Sequence, residues 1–145
     1  MKRKIQIIGI IAILLSFWVS ALAVDWKVTN QATIAWDAAT TLIDGTPVPA
    51  NNSVKYRVYM ANAVTDPNKG NPVLLTQEPI SVLEYIITLN IEGKYYVGVS
   101  AVRYDDVGFE LNESVVNWSD VNGEATPNPF GFVHYIKMGS PKNLR

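Results

Sequence analysis

Apolar and polar residues alternate with a period of two in several short runs of this chain, and no segment after residue 24 carries a convincing helical repeat. The clearest run starts at Tyr95. Tyr95, Val97, Val99 and Ala101 fall on one side, and Tyr96, Gly98, Ser100 and Val102 on the other, which predicts a strand from Lys94 to about Arg103 with one face in the core. Three further runs read the same way. Ala32, Ile34 and Trp36 share a face within 31–36. Val54, Tyr56, Val58 and Met60 oppose Lys55, Arg57 and Tyr59. Tyr85, Ile87 and Leu89 line one side of 85–89. Shorter segments at 24–28, 73–76 and 115–119 complete a set of seven strands separated by turn formers. That pattern predicts an all-β protein built as an antiparallel sandwich.

The segments between the strands are rich in turn chemistry. Residues 37–53 form a long connection with Asp44-Gly45 and Pro47-Val48-Pro49, and Leu42, Ile43 and Val48 suggest a small hairpin at Asp44-Gly45. Thr65-Asp66-Pro67-Asn68-Lys69-Gly70 cannot lie inside a sheet. Residues 104–112, with Asp105, Asp106, Gly108 and Glu110, are expected to be a second loop. Ile91-Glu92-Gly93-Lys94 makes a tight corner between Leu89 and Tyr95, where the Tyr95 ring can fold over the bend and hydrogen-bond backbone a few residues upstream.

Leu89, the six-residue step to Tyr95 and the Val-x-Val-x-Ala-Val that follows resemble the corner and sixth strand of the fibronectin type III family. Trp36 is similar to that family's buried tryptophan on its second strand. Tyr56 stands in a Tyr-x-Val pattern like that of the third, and Glu113-Ser114 looks like the opening of the last. The resemblance spans residues 31–120. It implies a seven-stranded immunoglobulin-like sandwich over 24–125, with Trp36, Tyr56, Leu89 and Tyr95 as structural residues and loops 37–53 and 104–112 at one end. On this reading Trp36 fills the space between the sheets, and truncating it to alanine should cost about 3–5 kcal/mol. Residues 126–145 form an extension with a strand-like run at Phe132–Ile136, and the last residues resemble the opening of a further family domain.

Lys2, Arg3 and Lys4, the apolar run from Ile5 to Val19 and Ala21-Leu22-Ala23 describe a secretory signal peptide over residues 1–23, with cleavage expected after Ala23. The alternative is an uncleaved anchor, because the apolar stretch is about long enough to span a bilayer. The expected location is therefore secreted, periplasmic or cell-surface, with membrane attachment only if the leader is retained. The remaining chain holds nine basic and thirteen acidic residues, a net −4. A mildly acidic domain is poorly suited to phosphate backbones, so nucleic acid is not an expected partner. The absence of cysteine leaves stability to burial and strand pairing.

Catalytic groups are sparse. His134 is the sole histidine and lies in an apolar run, and neither a cysteine nor a Gly-x-Ser-x-Gly elbow is present. No cofactor or metal is expected, since Asp105, Asp106, Glu110 and Glu113 follow no calcium-binding array. Asn51, Asn112 and Asn117 fit the N-glycosylation pattern. Tyr59, Tyr96, Tyr104 and Phe109 are the candidate contact surface for a protein or glycan partner, weighed against simple cross-strand pairing. The function expected from the family resemblance is a non-catalytic exported interaction, adhesion or assembly module. The alternative is a carbohydrate-binding accessory to an exported enzyme, using Trp26 or Trp118. A C-terminal strand adding along a sheet edge, in its own chain or in a neighbour, would make a homo-oligomer in the second case.

Overall fold

The computed structural model describes residues 23–121, 126–140 and 142. The leader reading therefore lies almost entirely outside the described residues, as does most of the family-like ending. Among the described residues nine strands follow one another: β1 (Asp25–Val28), β2 (Gln31–Ala35), β3 (Ser53–Asn62), β4 (Val73–Leu74), β5 (Glu84–Thr88), β6 (Gly93–Tyr104), β7 (Glu110–Glu113), β8 (Asn117–Trp118) and β9 (Phe130–His134). They form two sheets. The larger runs β1-β9-β6-β3-β4, with β7 and β8 also paired to β6, and the smaller is β2-β5.

The period-two pattern decides which face each side chain takes. Directly paired residues share a face, so the register Tyr56↔Ala101, Val58↔Val99 and Met60↔Val97 collects the apolar halves of β3 and β6 on one side. Ile34 of β2 pairs with Tyr85 of β5, and Ala32 with Ile87, to make the apolar side of the smaller sheet. Ile34, Ile87 and Leu89 from that layer pack with Val58, Tyr95, Val97 and Phe132 from the other in one buried cluster. The result is a sandwich-like, all-β body with its buried hydrophobic cluster between its layers.

Three expectations require correction. The larger sheet is mixed rather than purely antiparallel, because β1 pairs in parallel with β9. The strand expected at 115–119 shrinks to β8, one of three short pieces together with β7, which occupies part of the segment expected to be loop, and β9, which overlaps the strand-like run expected at Phe132–Ile136. A register shift at Arg103/Tyr104 marks where the first piece begins, and Pro127 and Pro129 interrupt the chain before the last. Finally, β9 is not at an edge. It lies between β1 and β6, through Asp25↔Phe130 to Val28↔Val133 on one side and Gly93↔His134 to Tyr95↔Phe132 on the other.

Two glycines explain how the outer strands seat. Gly131 stands directly opposite Trp26, and Gly98 directly opposite Trp118. Each indole lies across the bare backbone: a Cβ on Gly131 would sit 2.6 Å from Trp26 Cζ3, and one on Gly98 would sit 2.8 Å from Trp118 Cε3. Glycine here admits a ring rather than a turn.

At the corner, the Tyr95 hydroxyl donates to the Ile91 carbonyl at 3.0 Å, and the ring is buried. Trp36 departs from its expected role. It follows β2, is only half-buried and packs its ring against Tyr56 at 5.5 Å between centroids, so it closes one end of the core without filling its centre. Tyr56 is buried, and its hydroxyl accepts the Ala39 N–H at 2.9 Å, tethering the start of the long connection.

Candidate functional site

The connections 36–52 and 105–109 open at the same end of the molecule, because Ser53 at the start of β3 pairs with Tyr104 at the end of β6. Each is held by one aspartate. Asp44 Oδ1 accepts from the Thr46 N–H at 2.9 Å and from its hydroxyl at 2.6 Å, while Gly45 takes a positive φ of 81° that a side chain would strain. The Thr46 hydrogen bonds hold the Asp44 carboxyl below its ordinary range. Leu42 N donates to the Thr46 carbonyl, and Thr41 bridges Pro47, so the hairpin expected at Asp44-Gly45 is present. Its tip exposes Ile43 completely.

Asp105 does the same for the hairpin between β6 and β7. Its Oδ1 accepts from Val107 N at 3.1 Å and Phe109 N at 2.7 Å, its own N–H donates to the Phe109 carbonyl, and Gly108 supplies a φ of 86°. Fixed in this way, the hairpin presents Val107 and Phe109, 84% and 69% exposed. These are large apolar side chains with no internal role, on a turn whose backbone is already ordered. A partner meeting them therefore need not order this turn first.

The four candidate contact residues are not one patch. Phe109 lies at the hairpin tip. Tyr59, Tyr96 and Tyr104 instead share the outer face of the larger sheet, where each already has partners. The Tyr59 hydroxyl donates to Glu113 at 2.7 Å, and the Ser100 hydroxyl donates to the same carboxylate. Arg57 spans Glu113 and Glu110, with Nη2 to Glu110 Oε2 at 2.9 Å. Tyr104 donates to Glu110 at 3.3 Å, under the Lys55 ammonium. Burial opposes charge on Glu113, but the hydrogen bonds from Ser100, Tyr59 and Arg57 outweigh it and hold the carboxyl below its ordinary range. The same acids raise the Arg57 pKa against its partial burial. Burial, reinforced by Glu113, pushes the Tyr59 hydroxyl up.

Tyr96 belongs to a second group on that face. Its ring lies 5.3 Å from Trp26, with Lys94 over Trp26 at 5.1 Å and Lys69 over Tyr96 at 5.1 Å. Lys69 also reaches the Trp118 ring, and its Nζ meets Asp120 at 2.7 Å. Sequence reasoning listed Trp26 and Trp118 separately from Tyr96. Only the register of β1, β8 and β9 aligns them, and no local signal gives that register.

The acidic residues near 105–113 divide between tasks: Asp105 orders the turn, and Glu110 and Glu113 bind Arg57. Among the described residues no group of three His, Asp or Glu side chains is arranged to hold a metal ion, and no helix is long and apolar enough to cross a membrane. His134 is half-buried on β9, opposite Gly93. No protein-family model, curated protein or solved structure matches the chain.

Proposed function

We propose that this chain is a non-catalytic, exported interaction module of fibronectin type III type, which engages a protein partner through the end formed by the connections 36–52 and 105–109. The observation that carries this reading is the pair of aspartate-locked turns presenting Ile43, Val107 and Phe109 to solvent beside each other's strand ends. Apolar side chains held on ordered turns offer a partner contact area on a backbone that is already fixed. The family reading draws support from the division of β2 and β5 from β3 and β6 into two layers, and from the Tyr95 hydroxyl on the Ile91 carbonyl. The non-catalytic reading draws support from Glu110 and Glu113, which bind Arg57, and from Asp44 and Asp105, which bind turn amides.

Capture from an extract of the native host tests the proposal. The wild-type chain should retain a partner that the Ile43→Ser/Phe109→Ser variant releases, and equal capture by both would remove this end from consideration. A second reading, carbohydrate binding, is favoured by the common face of Trp26, Tyr96 and Trp118. Lys94 and Lys69 lie over these rings, so a sugar must displace an ammonium to stack. Polysaccharide titration should then change tryptophan emission, and an unchanged spectrum rejects that reading.

A further inference from the structure

Among the described residues the smaller sheet has two strands, and β2 has a neighbour on one side only. Trp36 N donates to the Leu83 carbonyl and Leu89 N to the Asn30 carbonyl, so residues 30, 32, 34 and 36 bond toward β5. Residues 31, 33 and 35 therefore direct their N–H and C=O groups away from it. Gln31 is served by the Thr29 hydroxyl, but among the described residues Thr33 and Ala35 have no partner. The strand that precedes β2 does not cover this edge, since β1 pairs with β9 in the other layer.

Behind the free edge the layers stand apart. A cavity of about 510 Å³ opens there, floored by Ile34, Val97, Val99 and Phe130 and walled by Trp36, Asn117 and the chain's own residues 126–128. Trp36 Nε1, shielded from solvent, has no hydrogen-bond acceptor among the described residues. An edge with unpaired amides, an apolar recess and an unmatched donor fit one more extended strand with alternate apolar side chains.

The chain carries such a segment. After β9, Tyr135-Ile136-Lys137-Met138-Gly139-Ser140 places Ile136 and Met138 on one side of an extended chain and Tyr135 and Lys137 on the other. Tyr135, Ile136 and Met138 are 57%, 67% and 96% exposed in their own molecule. Glu92, at the tyrosine corner, holds the Ile136 N–H there. Charge also complements: residues 135–145 hold three basic residues and no acid, whereas 24–134 hold six basic and thirteen acidic, a net −7.

We propose that the free edge of β2, Gln31–Ala35, is the acceptor for residues 135–140 of a second copy of this chain, which add as a strand and turn Ile136 and Met138 into the recess beside Trp36. Donor and acceptor are different surfaces, so the contact is head-to-tail and yields a ring or a filament, or a dimer where two tails exchange. The proposal is independent of the loop end, because Ile43 and Phe109 take no part in it.

Sedimentation of the exported chain over a dilution series tests it, beside a chain lacking residues 135–145 and a Thr33→Pro variant. Proline removes an N–H that faces outward, so the pairing with β5 is retained. The intact chain should assemble as concentration rises, and each variant should weaken assembly at least 10-fold with an unchanged circular dichroism spectrum. A peptide of residues 135–145, added to the shortened chain, should slow exchange at the Thr33 and Ala35 amides. That arm stands even where Thr33→Pro fails to fold. A chain that stays monomeric to about 1 mM, assembly that survives loss of the tail, or a peptide that protects neither amide would each overturn the proposal.

Discussion

Gly131→Ala offers a measurement whose sign reverses with its neighbour. A methyl group there would meet Trp26 Cζ3 at 2.6 Å, Cε3 at 2.9 Å and Cη2 at 3.1 Å. The indole has little freedom to retreat, since Tyr96 lies 5.3 Å away and the Lys94 ammonium lies over it at 5.1 Å. Overpacking of this kind costs about 1–3 kcal/mol. Against it stands a gain of about 0.4–1 kcal/mol from restricting the unfolded chain when glycine becomes alanine. The net expectation is a loss of about 1–2 kcal/mol, or about 4–8 °C in Tm at roughly 4 °C per kcal/mol for a domain of this size. In a Trp26→Ala background the ring is gone and only the gain remains, so the same substitution should be neutral or stabilising. Urea denaturation of the four proteins of this cycle gives a coupling of about 2 kcal/mol. Additive effects, or a neutral Gly131→Ala in the wild type, would refute the seating of the indole on that backbone.

Other positions give independent checks. Tyr95→Phe removes the bond to the Ile91 carbonyl and should lower stability by about 1 kcal/mol in denaturant titration; no change would mean that the hydroxyl contributes nothing at the corner. Glu113 has a depressed pKa in the folded chain, so its contribution is present above the ordinary carboxylate range and is lost as pH falls through and below it. The denaturation midpoint of the wild type should therefore fall more steeply than that of Glu113→Gln between about pH 5 and pH 3; parallel curves would contradict this. Asp105→Ala frees the amides of Val107 and Phe109, whose hydrogen exchange should accelerate at least tenfold while that of Val58 stays slow.

The strands that bury one face were legible because burial imposes period two, and β2, β3, β5 and β6 follow it from Ala32 to Ala101. The turns at Asp44-Gly45 and Asp105–Gly108 were legible as turn-forming composition, although the second proved to be a hairpin that returns into the sheet. What could not be read is pairing at a distance. Trp26 on Gly131 joins residues 105 positions apart, and nothing local distinguishes that glycine from one in a bulge. For the same reason β9 appeared as an extension, and the face that unites Trp26, Tyr96 and Trp118 appeared as three scattered aromatics. Trp36 misled in the opposite direction: its strand pattern is that of a core residue, yet β2 ends just before it, and its partly buried ring lines a cavity.

Photo-crosslinking tests the proposed partner contact at the loop end most directly. A benzoyl-phenylalanine replacing Phe109 on the hairpin tip is compared with one replacing Ile86, which is 59% exposed on the outer side of β5. Irradiation in the native host should give a partner adduct from position 109 and none from position 86; adducts from position 86 alone, or from neither, would contradict the account.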